Sequence, residues 1–562
     1  MLLRHIWISS ALVLLNLISC EEMTTVYMPG QSSKIAEMPG GNTSAGSSWY
    51  VRPLGGSYGS ENGRNYTNAF DGFINIDWTT AGIQPGDTLF ICGTHTEDFH
   101  VLGSGVDGSP ITIRGDYPGD AGIIDSEDTR NTGLDCNNRN YITITNLTSI
   151  DALVDCFQFH GTSTGIITNG ITATGSGNQG IQHEDTASAT HNNATSSNNI
   201  DDGVSGHDSA TIVINGGTFE NNDEGINCVE DAQCTINGPV TFSGNTTLDI
   251  WAAAATTEES CLITVNDVII PMDVLISSRA KIILNNCTIP GTTRIGTLAG
   301  TAYFEAYDCD FSGLGAFGTD GESIFEDCTV RGGMSIASGA TVDMANCLIT
   351  TWGISNIVGE LNLSECYVTD NNEVDGTLTA EYTLFEGGTD HLIDAQNGST
   401  VTLKYCVFNG MNTGDFGVSV RTGSTVTVDG CSFIGAANVG KGFFSQITQT
   451  IDNCIFTNLE TGVHQTGGVV TTNNCVYFDN TANTAGTVTQ NNSQAGNPLL
   501  VDVSNNDFSL GVGSSAIGNG LDLGASLDDG IDAATWGNGT TGIPTVTTKE
   551  QAVAWDIGAY IS

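Results

Sequence analysis

The 562-residue chain carries 15 Lys plus Arg against 63 Asp plus Glu, a net charge of −48, with 71 Gly and only 11 Pro. So acidic a chain has too few cations to neutralise phosphates, which excludes nucleic acid as a partner. Abundant Gly, Thr, Asn, Asp, Ile and Val predict an all-β, turn-rich protein, and clustered carboxylates are the material of a Ca²⁺ site as well as of a soluble surface.

Residues 1–20 read as a targeting segment, with Arg4 at its start and an apolar run over 6–18. The run closes on Leu17-Ile18-Ser19-Cys20, which resembles the bacterial lipobox; that resemblance implies a lipid on Cys20 after cleavage. No later run approaches the roughly 18 apolar residues of a membrane span. The expected protein is therefore extracellular, held to a bacterial outer membrane or cell surface through lipid alone. Residues 21–47 are rich in Ser and Gly and read as a flexible tether. The body is expected over 48–490, with a closing segment over 491–562.

From Gly133 to Ala253 short segments recur every 22–24 residues: GLDCN, CFQFH, GIQHE, GVSGH, GINCV and TLDIW. That period marks a solenoid. Residues 201–216 lie over 223–238 without a gap, and each segment alternates apolar and polar residues, as a strand with one buried face does. The repeat is too short for a strand plus a packed helix, so one repeat makes one coil of a parallel β-helix. Asn146, Asn169, Asn192, Asn215 and Asn237, at intervals of 23, 23, 23 and 22, predict an asparagine ladder at one corner. From Cys287 to Cys475 a cysteine recurs once per repeat, with Thr383 in one slot, and these read as a stacked inward column. Open sheet edges at both ends call for caps, placed at 49–85 and from about 490 onward.

The segments GDTLFICGTH and SPITIRG near the start, and NPLLVDVSNNDFSL and WDIGAY near the end, resemble the opening and closing coils of the right-handed parallel β-helix (pectate-lyase-like) superfamily. The resemblance implies a single-stranded, right-handed β-helix with terminal caps, a polysaccharide partner and, in many members, Ca²⁺.

With Leu134, Phe157, Ile181, Val204, Ile226 and Leu248 aligned as inward residues, the next position points out: Asp135, Gln158, Gln182, Ser205, Asn227 and Asp249. Two further on, Asn137, His160, Glu184, His207, Val229 and Trp251 point out as well, while His183 falls inward. The column His160–Glu184–His207, with Asp185 and Asp208 just beyond it, is the expected acid/base machinery. Asp135, Gln158, Gln182, Asp249 and the aromatic plate Trp251 are the expected substrate contacts. The pairs Asp201/Asp202 and Asp223/Glu224, on adjacent rungs, are the expected Ca²⁺ ligands.

Three readings follow. A lyase needs a base, and no Lys or Arg lies between Asn140 and Ser278, so the base is His160 or His207, or else the site lies near Arg139, Arg279 or Lys281. A hydrolase needs paired carboxylates, for which Asp185 with Asp208, or Asp202 with Glu224, qualify by rung spacing. A non-catalytic glycan-binding rod needs neither. Asp390, His391 and Arg421 stand isolated in the second half and read as surface, and the rod is expected to act as a monomer.

Overall fold

The computed structural model describes residues 46–562 apart from 255–259, 278, 291–295, 299–301, 313–315, 318–320, 333, 351–353 and 537–542. The targeting segment with Cys20, and the tether up to residue 45, lie outside the described residues. Among the described residues no helix is long and apolar enough to cross a membrane.

Each coil gives one short strand to each of three parallel sheets, and the solenoid makes about 18 turns. The first sheet runs from Phe99–His100 to Gly296–Leu298 and resumes from Ala316–Phe317 to Ala482–Ala485. The second runs the whole length, from Ser48–Arg52 to Val488–Asn491. The third starts at Thr94–His95 and ends at Val476–Phe478. In three central coils one long strand serves both the second and third sheets: Ser188–Ser197, Thr211–Glu220 and Gln233–Ser243.

The alternation in the sequence is the alternation of burial. In Asp155–His160, Phe157 and Phe159 are buried while Gln158 and His160 are partly open. Phe157 pairs with Leu134 on one side and Ile181 on the other, so inward residues stack on inward residues. The expected asparagine ladder forms at the end of the second sheet. Asn192 Nδ2 donates to Asn169 Oδ1, Asn215 to Asn192 and Asn237 to Asn215, each at 2.9 Å. It continues through Asn266 and Asn285. Asn146 stands one position off the ladder: Thr145 pairs with Asn169, and Asn146 takes the turn with φ 50°. The left-handed residue thus follows the ladder instead of belonging to it, as Asn193 at φ 54° also shows.

The cysteine column is buried throughout, and the fifteen described cysteines are free. Thr383 fills its slot by donating its hydroxyl to the Glu381 carbonyl and accepting the Cys366 amide at 3.4 Å. Beside it Phe385, Phe408, Phe433, Phe456 and Tyr477 form a stack with ring centroids 4.7–5.2 Å apart. The residues after 491 run back along the outer face of the third sheet. There Phe508, Ile531, Trp536, Val546 and Tyr560 pack on Leu348, Leu384, Val407 and Ile434.

His183 points into the core, as its register requires, and meets a second buried histidine, His191. The Ser205 carbonyl only accepts, so His183 Nδ1 donates to it at 3.3 Å. His183 Nε2 then accepts from His191 Nε2 at 2.9 Å, and His191 Nδ1 accepts from the Thr168 hydroxyl at 2.7 Å. Both rings are neutral: burial pushes His183 down to about 4 and holds His191 well below its usual range.

Two outcomes test this core. The unfolded chain binds protons on these histidines near 6.5 while folded His183 does so only near 4. Their contribution is therefore whole above 6.5 and is lost as pH falls toward 4. Thermal melting of His183→Leu/His191→Leu should show a shallower fall over that window than the parent. Asn215→Ala, which cuts two rungs of the ladder, should cost about 1 kcal/mol or more in denaturant titration.

Candidate functional site

Six rungs of the first sheet, from Phe99–His100 to Glu224–Val229, put the polar residues of the central repeats on one outer face. At about 4.8 Å per rung the face is about 24 Å long. Two registers carry the side chains. One is the outward strand positions; the other is the corner where each coil enters the sheet, which aligns Thr132, Asp155, Gln179, Asp202 and Glu224.

Asp135 and His160 meet, and a residue missed from sequence joins them. Asp135 Oδ1 accepts from His160 Nε2 and Oδ2 from His100 Nδ1, both at 2.8 Å. Both oxygens of Asp135 are engaged, so it positions two imidazoles and is not a free substrate contact. With its Nε2 held, His160 keeps Nδ1 for proton transfer. His100 pairs across the sheet with Asp135 but lies 35 residues away, outside the 22–24 period, which hid it.

The column His160, Glu184, His207 does occupy successive rungs, but its members bind other partners. Glu184 accepts from Gln182 Nε2 at 2.9 Å and Gln158 Nε2 at 3.4 Å. His207 Nε2 lies 3.1 Å from Ser205 Oγ. Gln158, Gln182 and Glu184 line a hollow of about 390 Å³ together with Asp155 at its corner. Burial pushes Asp155 up to about 7, against the pull of the Gln179 amide, and the charges of Glu184 and Asp201 add to the rise.

One rung on, Asp201, Asp202 and Glu224 converge, with one carboxylate oxygen from each lying within 4.8 Å of the others. Gln179 Nε2 donates to Asp201 at 3.0 Å and Asn227 Nδ2 to Asp202 Oδ2 at 3.0 Å. Asp202 is 1% exposed, yet its Oδ1 takes no hydrogen bond, and neither does the buried Asn227 Oδ1. Burial raises Asp202 well above the ordinary carboxylate range, and the adjoining Glu224 adds to it. Burial likewise raises Glu224 and Asp201. Three converging carboxylates with orphaned, buried oxygen acceptors have the donor chemistry of a hard-cation site.

The other expected contacts sit elsewhere. Asp223 is not one of the converging three and takes the hydroxyls of Thr246 (2.7 Å) and Thr247. Asp185 and Asp208 are turn residues with φ 60° and 55°. Asp185 accepts the Gly161 amide at 2.9 Å and Asp208 the Asp185 amide at 3.0 Å, so each staples its turn to the preceding coil. The coil before Trp251 is two residues longer than the one preceding it: Ile250, not Leu248, pairs with Ile226. Trp251 therefore lies beside Asn227, with its Nε1 3.3 Å from Ser277 Oγ. Asp249 drops out of the outward column altogether and is fully buried, accepting Asn245 Nδ2 at 2.8 Å and the Met272 amide at 2.7 Å. Of the remote cations, Arg139 Nε donates to the Val101 carbonyl and Lys281 pairs with Glu305.

The second half is less plain than its sequence suggests. Asp390, His391 and Arg421 are not isolated: His391 and Arg421 flank Asp394, which is 2% exposed, and Asp390 pairs with His391. Arg421 grips Asp394 with two nitrogens at 2.8–2.9 Å, and His391 is itself buried. Asp394 pairs in register with Glu373 and Ser419, so the cluster lies on the first sheet, far along the rod from the central face.

The molecule is a parallel β-helix. No protein-family model matches the chain, and no curated protein matches it. Among solved structures the pectate lyase Pel9A is similar at 15% identity over 92% of this chain and 97% of that one, with a TM-score of 0.19. The architecture accordingly stands on the strand registers above.

The relocation of Asp249 has a direct test. Asp249→Ala leaves Asn245 and the Met272 amide without their acceptor inside the wall, and should cost about 1–3 kcal/mol in urea unfolding. Cation and glycan binding by the folded fraction, followed by calorimetry, should be unchanged.

Proposed function

We propose that the protein is an exported, lipid-anchored monomer that binds an acidic polysaccharide along the first sheet and cleaves it by β-elimination, with Ca²⁺ held by Asp201, Asp202 and Glu224. The observation that carries the reading is the convergence of those three carboxylates beside the orphaned oxygens of Asp202 and Asn227. Export and anchoring rest on the segment ending at Cys20.

Bound Ca²⁺ supplies the positive charge that a face otherwise lined by acids lacks, and so allows a uronate to approach it. His207 is the base beside this site: it directly follows the strand Val204–Gly206, on the rung of Asp202. Its imidazole takes the proton from the carbon next to the uronate carboxylate. The released electron pair forms the carbon–carbon double bond, the glycosidic C–O bond breaks, and the leaving oxygen gains a proton from water. Asp135 fixes His160 two rungs away, where it meets the sugar chain as a hydrogen-bonding group. The hydrolase reading is weaker. Asp202 and Glu224 are buried in the corner, and Asp185 and Asp208 hold turns.

The test is a panel of alginate, pectate, chondroitin, agar and carrageenan with the mature protein and Ca²⁺, read by ultraviolet absorbance of unsaturated uronate and by reducing ends. Both signals should rise together on an acidic polymer and vanish with chelator. His207→Ala should lower kcat by about 10²-fold or more at unchanged circular dichroism. Reducing ends without absorbance would replace elimination by hydrolysis, and retention without product would make the protein a glycan-binding rod.

A further inference from the structure

A second hollow, of about 520 Å³, opens at the N-terminal end of the same face. We infer that it is a binding subsite for a sugar without a carboxylate, neutral or amino, and that the polysaccharide is therefore a heteropolymer in which such a sugar accompanies the uronate. The inference rests on the reading of the face as a polysaccharide site.

The walls are apolar and unusually open for apolar residues: Leu54 is 58% exposed, Ile74 84% and Leu102 56%. Trp78 lines the hollow beside them and packs closely over Gly103, where a Cβ would lie 2.6 Å from the indole. Below, Phe73 stacks between His95 at 4.1 Å and Phe99 at 4.4 Å, so the floor is rigid. Such a surface suits the apolar face of a pyranose ring.

Two carboxylates, Glu97 and Asp98, line the hollow. Glu97 uses Oε2 to accept the Phe73 amide at 2.8 Å, while its Oε1 is buried and takes no hydrogen bond. Asp98 Oδ1 is buried and unpartnered in the same way. Burial alone would raise Glu97, but His95 and the Phe73 amide outweigh it and hold the carboxyl below its usual range, so it is ionised. Carboxylates lining the hollow call for hydroxyl or ammonium groups on the ligand. A uronate carboxylate would meet like charge here; exposed Arg130 at the rim is the one cation among the lining residues.

The hollow is continuous with the central face. Arg130 lines it, while the next residues, Asn131 and Thr132, line the hollow of Asp155 and Glu184. His100 joins its wall to Asp135 and His160. From here to Glu224 is the full span of about 24 Å, several sugar units away from the acidic cluster, so one chain can occupy both ends.

The experiment is titration calorimetry of the mature protein, in chelator, with cellotetraose, a glucosamine tetramer and trigalacturonate. One or both of the first two should bind saturably and trigalacturonate should not. Stronger binding of the glucosamine tetramer would identify an amino sugar, and equal or stronger binding of cellotetraose a neutral one. Trp78→Ala should weaken the bound tetramer at least tenfold, Trp78→Phe should restore most of it, and Ca²⁺ affinity should be untouched in both. Should Trp78→Ala lower the melting temperature sharply, Asp98→Asn and Leu102→Ala, at the rim, provide the same readout. Failure of the wild type to bind either tetramer would overturn the inference. So would binding that stays within twofold in all these variants, or equal binding of trigalacturonate. If polyuronate is cleaved with Ca²⁺ while both tetramers fail, the subsite alone is lost. If the tetramers bind and neither Ca²⁺ nor polyuronate does, the elimination reading is lost and the subsite stands.

Discussion

In most coils the turn from the second sheet into the third pivots on a single residue with positive φ, and the in-register stacking of those coils follows from it. Asn146, Asn193, Asp267, Asn286, Asn453 and Asn474 hold this corner at φ 50–58°. Gly170, Gly216 and Gly430 hold it where no side chain is present. A corner of one residue has no slack, so a strand cannot slip against its neighbour without expelling its inward side chains. The asparagine ladder, the thiol column and the phenylalanine stack are all consequences of that fixed register. Tyr382 and Tyr405 take the corner at φ 51° despite their bulk. Their rings stack 6.0 Å apart, and the Tyr405 hydroxyl reaches the Leu527 carbonyl, so the returning C-terminal segment holds both in place.

The same register that aligns apolar side chains inside aligns carboxylates at the coil entrance. Asp155, Asp202 and Glu224 are brought to one corner and shielded from water there, which raises all three. Buried acceptors here lack donors, so local consistency is broken, as it commonly is at functional sites. The His183–His191 pair shows the contrast. It too is buried and titratable, but a closed chain of hydrogen bonds from Thr168 to Ser205 satisfies it, and it faces the core.

The solenoid, its inward columns and the inward turn of His183 were legible because they depend only on period and alternation. Legibility failed wherever coil length changed. The 24 residues between Ile226 and Ile250 shift Asp249 into the wall and Trp251 beside Asn227, which an offset of 22 does not foresee. His100 and Asp135 are adjacent on the sheet but separated by a long excursion, and Arg421 reaches Asp394 from two positions past the residue in register with it, Ser419. Asp185 and Asp208 illustrate a different limit: being just past the strand, they fall at a turn whose amides claim their oxygens. Residue type and spacing identify a rung, but which neighbour a side chain bonds depends on the corner it sits beside.

The unbroken run of the second sheet has a consequence for how such a chain changes over generations. Each coil touches chiefly the coil before and the coil after, so duplicating or deleting one whole coil lengthens or shortens the rod by a single step of about 4.8 Å and leaves the remaining joints as they were. In the half that carries the thiol column, length can drift by such steps only away from the returning C-terminal segment, which packs across Leu348, Leu384, Val407 and Ile434 and ties those coils together. The six rungs that join His100 to Glu224 cannot drift, because a coil inserted among them would move the acidic corner one step away from the imidazoles. Reach and chemistry are therefore inherited separately in this molecule: one by counting coils, the other by keeping six of them together.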